Sequence, residues 1–262
     1  MGTAIIIAIV VVTVIGIICA VVLAVASKVM AVPVDERVTQ VRECLPGANC
    51  GGCGFAGCDG YAAALVEDPD MPLTLCAPGG AAAAQAIAAV LGKEAGEMVA
   101  QAAVVHCRGT CEHTSNKAEY HGIETCSAAK LLFGGPGQCT FGCLGLGDCA
   151  KVCQYDAICI ENGIAHVDPR KCVGCGACTK VCPNHVISLQ PTTAPVTVMC
   201  SNKDKGAVAR KKCTAACIGC GMCMRNCPQG AIVVENNLAV IDYSKCTGCG
   251  TCKEKCPAKC IL

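Results

Sequence analysis

Hydrophobic and polar positions are distributed very unevenly along this chain, and the sharpest contrast lies at its N-terminus. Residues 4–26 contain no charged side chain and consist mostly of Ile, Val and Ala. An apolar helix of that length spans the hydrocarbon core of a bilayer, which is about 30 Å thick, at about 1.5 Å per residue. The pattern therefore predicts a membrane-spanning helix within residues 1–28, in preference to a buried helix of a soluble protein.

The flanks of the apolar segment indicate how it would sit in the membrane. No basic region precedes it and no small-residue cleavage motif follows it, so an uncleaved anchor is favoured over a signal peptide. Positive charge comes only afterwards, at Lys28, Arg37 and Arg42. Because positively charged flanks stay on the cytoplasmic side, we expect a single span in the cell inner (plasma) membrane, contact with membrane lipid, and the remaining chain in the cytoplasm.

The rest of the chain alternates short helical and strand-like patterns, which predicts an α+β fold. Residues 81–103 are rich in Ala, with larger apolar residues at near-helical intervals, and are expected to form a helix. Two further segments read as hairpins, with turns at Asn162-Gly163 and at Asn236-Asn237.

Composition changes this picture because 29 of the 262 residues are cysteine and only 3% are aromatic. A disulfide scaffold is disfavoured, since the cysteine count is odd, short spacings recur and no cleavable signal is present. The cysteines are instead expected to bind metal in a reducing compartment. The net charge of +1, without a long basic run, gives no reason to expect nucleic-acid binding.

The first group of closely spaced cysteines lies in residues 34–105, which we interpret as one small domain. Its spacing is C-x2-C-x4-C-x17-C, with glycines around the first three cysteines. Glycine lets the backbone wrap closely and turn N–H groups toward sulfur, which favours a [4Fe-4S] cluster over a zinc ion on the same four thiolates. The expected ligands are Cys50, Cys53, Cys58 and Cys76. Cys44 is close by but lies outside the tight spacing.

The strongest pattern is an internal repeat with a period of 74 residues. Eight cysteines between Cys139 and Cys182 are each followed 74 positions later by another cysteine, from Cys213 to Cys256, and only Cys159 breaks the rule. The residues between these cysteines also match at the same period, as Val167-Asp168 matches Ile241-Asp242. Residues 138–190 and 210–262 are therefore expected to form two copies of one module, module 1 and module 2.

Each module resembles a bacterial two-cluster ferredoxin. That family uses the run C-x2-C-x2-C-x3-C-P twice, and the fourth cysteine of each run ligates the other cluster. Three such runs are present, beginning at Cys172, Cys217 and Cys246. For module 2 the resemblance implies one cluster on Cys217, Cys220, Cys223 and Cys256, and a second on Cys227, Cys246, Cys249 and Cys252. Cys213 is then left over.

The first run of module 1 departs from the ferredoxin pattern. Leu146 stands where Cys220 stands in module 2, and Gln154 replaces the usual proline. Glycines between these cysteines keep the loop flexible, so the resemblance still implies a cluster. The implied ligands are Cys139, Cys143, Cys149 and Cys182, with Cys153, Cys172, Cys175 and Cys178 holding the partner cluster.

Residues 106–137 form a cysteine-containing linker segment before module 1. Its Cys107, Cys111 and Cys126 do not complete a site, so they could join a further cluster through a fourth thiolate or be structural thiols. Candidate fourth ligands are Cys44, Cys159 and Cys200. We therefore expect at least five [4Fe-4S] clusters, and six or more if this segment binds one.

The order of these parts resembles one family. An apolar helix, a four-cysteine domain entered by the residues LPGAN at 45–49, and ferredoxin modules follow one another as in the B subunit of the Rnf complex, in its long form with two ferredoxin modules. The resemblance implies a subunit of a membrane ion-translocating ferredoxin:NAD+ oxidoreductase that accepts electrons from reduced ferredoxin and relays them through [4Fe-4S] clusters. It also implies soluble ferredoxin and other membrane and peripheral Rnf subunits as partners.

The sequence offers no chemistry besides one-electron transfer, since no acid–base, nucleophilic, phosphate-binding, flavin or nicotinamide pattern is present. Enzymatic activity is thus expected only within an oxidoreductase complex. The alternative is a membrane-tethered polyferredoxin that feeds another redox enzyme. A basic stretch between the modules is a candidate docking surface for an acidic ferredoxin, and it contains Lys203, Lys205, Arg210, Lys211 and Lys212.

Overall fold

The computed structural model of the chain describes residues 2–29 and 35–262. The helices in these ranges are α1 (Gly2–Val29), α2 (Glu36–Glu43), α3 (Cys58–Glu67), α4 (Gly80–Leu91), α5 (Cys126–Leu131), α6 (Asp148–Lys151), α7 (Ala177–Val181), α8 (Gly206–Lys212), α9 (Met222–Arg225) and α10 (Thr251–Glu254). The strands are β1 (Gln101–Val105), β2 (Ile158–Glu161), β3 (Ile164–Val167), β4 (Ile187–Pro191), β5 (Ile232–Glu235) and β6 (Leu238–Ile241).

Helix α1 is long and apolar enough to cross a membrane. Its segment Ile9–Ser27 has a mean hydropathy of 3.2, and none of it is buried against the rest of the structure. Side chains such as Ile9 and Leu23 remain 58% and 70% exposed, which is costly in water and favourable in hydrocarbon. The helix predicted within residues 1–28 is confirmed, and the expected domain start at residue 34 lies outside the described ranges.

The first domain is a small helical unit formed by α2, α3 and α4. Its core consists of side chains from all three helices, with Val41, Tyr61 and Ile87 at most 1% exposed. Helix α4 ends at Gly92, which adopts a left-handed conformation with φ +65°. The helix expected over residues 81–103 is therefore too long, because residues 101–105 form strand β1.

Module 1 takes its first strand from a region expected to belong to the first domain. Strand β1 pairs antiparallel with β4, in a register that runs from Gln101 opposite Pro191 to Val105 opposite Ile187. Strands β2 and β3 form the predicted hairpin, and its turn residues Asn162 and Gly163 both have positive φ. Residues 101–105 thus belong structurally to module 1.

Module 2 repeats this arrangement. Its predicted hairpin is confirmed by β5 and β6, with Asn236 and Asn237 at positive φ in the turn. Val198 forms an isolated bridge with Ile261, and Met199 N–H donates to Cys260 O at 2.7 Å, as β1 pairs with β4 in module 1. The module therefore begins before residue 210, where the repeat alone placed it.

The segment 106–137 joins the two modules by direct hydrogen bonds. His106 Nδ1 donates to Val198 O at 2.6 Å, and Ser201 Oγ donates to His106 O at 3.0 Å. Farther along, Thr114 pairs with Cys213 in an isolated bridge. The segment expected to be a linker is therefore part of the packing between module 1 and module 2.

Candidate iron-sulfur sites

The four thiols expected in the first domain converge on one point. Burial is the main cause that raises the pKa of Cys76, and its neighbouring thiols raise it further. Those neighbours are Cys58, Cys53 and Cys50. Asn49 Oδ1 accepts from Cys58 N–H at 2.8 Å and fixes the loop at the start of α3, whereas Cys44 Sγ donates to Gln40 O at 3.3 Å.

A second group of four thiols lies at the first-domain side of module 1. Cys178 is 7% exposed, and burial raises its pKa to about 11. The thiols next to it are Cys172, Cys175 and Cys153. Strand β1 contributes to this site, because Ala103 N–H donates to Cys172 Sγ at 3.3 Å. This group has the composition that the ferredoxin resemblance implied.

The other group in module 1 differs from the expected one by a single residue. The pKa of Cys149 is raised to about 12. Burial is the main cause, and the charges of three neighbouring cysteine side chains raise it further. Those thiols are Cys143, Cys126 and Cys182. The structure thus places Cys126 from α5 in this group, and Cys139 lies elsewhere.

Local interactions explain why Cys126 reaches the group. Thr125 caps α5 by accepting from Ala128 N–H at 3.2 Å, and Asp148 Oδ1 accepts from Cys126 N–H at 3.0 Å. Burial favours a higher pKa for Asp148, but hydrogen bonds from Ser127 and Cys126 outweigh it and lower the pKa. One residue in the sequence indicates this exchange. Leu146 stands at a position where the repeat has a ligand, so the fourth thiol has to come from another element.

Module 2 holds two thiol groups close to the loops where the motif predicted them. Burial raises the pKa of Cys223 to about 11. Its neighbouring thiols are Cys217, Cys256 and Cys220. The second group surrounds a small cavity lined by Cys227, Cys246, Cys249 and Cys252. Both groups have the composition that the resemblance implied.

A fifth thiol, Cys260, touches the first group of module 2. Its side chain is 1% exposed and its Sγ lies 3.6 Å from Cys256 Sγ. A hydrogen bond from Cys260 lowers the pKa of Cys217, and the same contact together with burial raises the pKa of Cys260. Cys260 Sγ is therefore placed to share a hydrogen bond with a sulfur of this group. The equivalent position in module 1 is Val186.

The remaining candidate cysteines fall into two kinds. Cys111 and Cys159 are exposed, and their nearest hydrogen-bond partners are oxygen atoms of Asn162 and Glu161. Cys139 instead lies near a further set of buried thiols, and sequence spacing placed none of those thiols in a complete site. They are Cys107, Cys200 and Cys213.

Backbone N–H groups accompany the thiols of these groups. Ala103 N–H donates to Cys172 Sγ at 3.3 Å, for example. Sets of four thiols approached by backbone N–H groups in this way fit a [4Fe-4S] core.

The site of the first domain lies directly against module 1. A methyl group placed at Gly52 would come within 2.5 Å of Cys175 O, so only glycine permits this approach of the two cysteine loops. Lys180 Nζ also donates to Gly51 O at 3.0 Å. Tyr155 is close to both groups: burial is the main cause that raises its pKa, and the charges of Cys50 and Cys175 raise it next.

The helical first domain and the paired modules define an iron-sulfur protein of the ferredoxin type. Family models agree: an Fe-S cluster model matches residues 45–78, a 4Fe-4S binding domain matches 165–188, and a 4Fe-4S dicluster domain matches 209–257.

Curated relatives identify the family. The chain is 48% identical to the B subunit of the Na(+)-translocating ferredoxin:NAD(+) oxidoreductase complex of Acetobacterium woodii, over 88% of this chain and 69% of the relative. It is 50% identical to the proton-translocating counterpart of Clostridium ljungdahlii, over 90% and 83%. It is 41% identical to the B subunit of the ion-translocating oxidoreductase complex of Methanosarcina acetivorans, over 86% and 85%. The chain belongs to this family of B subunits of the Rnf complex.

Proposed function

We propose that this chain is the electron-relay subunit of a membrane ion-translocating ferredoxin:NAD+ oxidoreductase, and that it accepts electrons from reduced ferredoxin. The observation that carries the proposal is the direct contact between the loops that carry two successive thiol groups, at Gly52 of the first domain and Cys175 of module 1. Family membership supports the same role. Each bound cluster would supply one-electron chemistry in which no bond is made or broken.

At least five [4Fe-4S] clusters are proposed, one for each thiol group described above. The ligand sets are Cys50, Cys53, Cys58 and Cys76; Cys153, Cys172, Cys175 and Cys178; Cys126, Cys143, Cys149 and Cys182; Cys217, Cys220, Cys223 and Cys256; and Cys227, Cys246, Cys249 and Cys252. The third set replaces the expected Cys139 by Cys126. Burial and N–H donors such as that of Ala103 to Cys172 would tune the potentials.

The membrane placement is proposed from α1 and its flanks. An exposed apolar helix of this length fits a single span in the plasma membrane, and the basic residues that follow it favour a cytoplasmic location for the cysteine-rich part. There the thiols would stay reduced and could reach soluble ferredoxin and the other subunits of the complex.

The basic stretch between the modules supports a docking surface for an acidic ferredoxin. Lys203, Lys205, Arg210 and Lys211 are exposed on and before α8. Lys212 is not available in the same way, because its Nζ lies 2.7 Å from Asp204 Oδ2 and both side chains are largely buried. The proposed docking surface therefore consists of those four residues, with Lys212 as an internal contact.

Charge reversal tests this surface. Combining Lys203→Glu, Lys205→Glu, Arg210→Glu and Lys211→Glu should slow reduction by ferredoxin about tenfold or more at low salt, and the difference should shrink at high salt. Reversal of Lys253 and Lys255, which are exposed at the end of α10, is the control. Equal rates for the two variants at low salt would remove the docking surface.

The relay itself is tested on the full chain purified without oxygen. The expected result is an absorption band near 400 nm that bleaches on addition of reduced ferredoxin, together with co-purification of other membrane subunits of the complex. A chain that holds zinc and shows no bleaching would overturn the proposal. Reduction of a chain that co-purifies with a different redox enzyme would instead favour a tethered polyferredoxin that feeds that enzyme.

A further inference from the structure

The first thiol group of module 2 contains one more thiol than a cluster needs. A [4Fe-4S] core takes four thiolates, and the group supplies them from Cys217, Cys220, Cys223 and Cys256. Cys260 is a fifth thiol at the same place, because it lines the same small cavity as those four. One cavity is thus surrounded by five thiols, although a cluster binds only four of them.

Cys260 contacts two members of this group. Its Sγ lies 3.6 Å from Cys256 Sγ, and its side chain also shares a hydrogen bond with Cys217. The side chain is 1% exposed, so it cannot turn away into solvent. The main chain is fixed as well, since Met199 N–H donates to Cys260 O at 2.7 Å. The fifth thiol is therefore held against the group.

A tight turn brings Cys260 back to Cys256. Lys259 N–H donates to Cys256 O at 3.1 Å, and Lys259 has a left-handed conformation with φ +48°. Module 1 forms the same turn, because His185 N–H donates to Cys182 O at 3.1 Å and His185 has φ +50°. In both modules, the residue four positions after the last cysteine of the run consequently returns to the thiol group.

The side chain at this returning position is a thiol in one run and apolar in the others. Each of the four cysteine runs has a residue there that is at most 3% exposed. These residues are Ala157, Val186, Ala231 and Cys260. Since alanine or valine fills the position in three runs, packing alone does not require the thiol of the fourth.

We propose that Cys260 is a spare ligand for the cluster of this group, and that it takes the place of Cys256 when the bond between Cys256 and iron opens. The inference rests on the proposed function, because it requires the cluster assigned to these thiols. Cys256 is the ligand replaced, since its sulfur and that of Cys260 are neighbours across one turn. A change of χ1 rotamer moves a cysteine sulfur by about 3 Å, which is close to the 3.6 Å between the two sulfurs.

The exchange needs no other reactant. The Cys256 sulfur leaves iron and takes the proton of the Cys260 thiol, and the Cys260 sulfur then binds iron as a thiolate. One iron–sulfur bond and one S–H bond are broken, one of each is formed, and no electron is gained or lost. The proton has only to cross between two sulfurs that lie 3.6 Å apart.

The first thiol group of module 2 is more open to solvent than the equivalent group of module 1. Cys220 is exposed in module 2. In module 1, every thiol of the group is buried or half-buried, namely Cys126, Cys143, Cys149 and Cys182. Protons from solvent compete with iron for thiolates, because a ligand must lose its proton to bind metal. The spare thiol thus lies at the group whose ligand bonds solvent reaches more easily.

Iron and sulfide counting on the full chain, purified without oxygen, tests the spare ligand. Cys256→Ala should keep the wild-type iron content, because Cys260 replaces the missing thiolate. Adding Cys260→Val should remove about four iron atoms. Cys182→Ala is the matched control in module 1 and should lose about four iron atoms by itself, since Val186 offers no thiol there.

The reverse experiment gives module 1 a spare ligand of its own. Val186 lines the cavity of its thiol group, as Cys260 does in module 2. Val186→Cys added to Cys182→Ala should therefore recover about four iron atoms, whereas Val186→Ser in the same background should recover none. This recovery does not depend on how well module 2 tolerates Cys256→Ala. Equal iron contents in the two double variants would overturn the role assigned to this position.

Electron paramagnetic resonance after dithionite reduction shows whether the ligand has changed. In Cys256→Ala, the number of spins should stay at the wild-type value while the signal of one cluster shifts, because its fourth sulfur comes from a new position. Loss of about four or more iron atoms in Cys256→Ala, or no further loss when Cys260→Val is added, would overturn the spare ligand and leave the proposed function intact. A wild-type chain that lacks iron would overturn the proposed function as well.

Discussion

The two ferredoxin modules repeat the same pattern but complete their first thiol set in different ways. In module 2, Cys217, Cys220 and Cys223 all come from one loop. In module 1, Leu146 occupies the position of Cys220 and the missing thiol comes from Cys126 on α5. A ligand can thus be moved to another element of the chain while the site keeps its place.

The backbone of the two loops explains how this exchange is tolerated. Gly145 and Gly147 have φ +71° and +82°, and their equivalents Gly219 and Gly221 have +63° and +69°. The loops therefore have nearly the same conformation, although they carry different side chains at the middle position. In module 2, three of the four thiols lie in one short segment, whereas the module 1 site depends on α5 being held in place by Asp148.

The largest effect is expected from iron removal, which should abolish the difference between the modules by unfolding both. Their strands are only four or five residues long, and the cores of both modules include buried cysteines. Structural metal contributes on the order of 10 kcal/mol to small domains of this kind. Circular dichroism after complete anaerobic chelation should show loss of ordered structure, and a native spectrum would contradict this expectation.

The next largest effect should come from Cys126→Ala, which tests the ligand that distinguishes module 1. The chain should lose about four iron atoms, because the set of Cys143, Cys149 and Cys182 is left incomplete. Cys111→Ala is the control. If Cys126→Ala retained all iron, the assignment of Cys139 to this set, as the ferredoxin resemblance implied, would be restored.

Restoring the missing ligand within the loop should reverse that loss. Leu146→Cys added to Cys126→Ala should recover about four iron atoms, because the loop already has the backbone conformation found around Cys220. Iron and sulfide counts measure the recovery. Leu146→Ser in the same background is the control, and equal iron contents in the two double variants would show that the loops are not equivalent.

A smaller effect is expected from Asp148→Ala, which removes the anchor of α5. Asp148 accepts three hydrogen bonds, from Cys126 N–H, Ser127 N–H and Ser127 Oγ, each at 3.0 Å. Their loss should destabilise the holoprotein by about 2 kcal/mol, as for hydrogen bonds to a charged group, and lower the thermal midpoint. Module 2 has Met222 at this position and needs no such anchor. Glu97→Ala, at an exposed carboxylate, should leave the midpoint unchanged.

The smallest effect should come from Cys260→Val, which gives module 2 the residue that module 1 has at Val186. The iron content should stay the same, because Cys260 is not in the ligand set. The midpoint potential of the neighbouring cluster should become more negative, since a hydrogen bond to a ligand sulfur stabilises the reduced state. Redox titration followed by electron paramagnetic resonance measures the shift, and an unchanged potential would show that the contact has no influence.

The sequence by itself determined the features that depend on neighbouring residues. Helix α1 follows from an uninterrupted apolar segment, and the two hairpins follow from turn residues that accept positive φ at Asn162 and Asn236. The repeat and the three complete cysteine runs are likewise local patterns. Residues close in the chain are close in space, so spacing alone was enough to predict these parts.

Only the tertiary structure decided the features that join distant segments. Strand β1 forms because β4 offers a pairing edge, although the alanine-rich sequence before it favours helix. Cys126 joins the module 1 set, and Cys107 meets Cys213, because packing brings together residues that lie far apart in the chain. A cluster needs four thiolates in one place and imposes no order along the sequence, so ligands supplied from outside the motif became visible only in the folded chain.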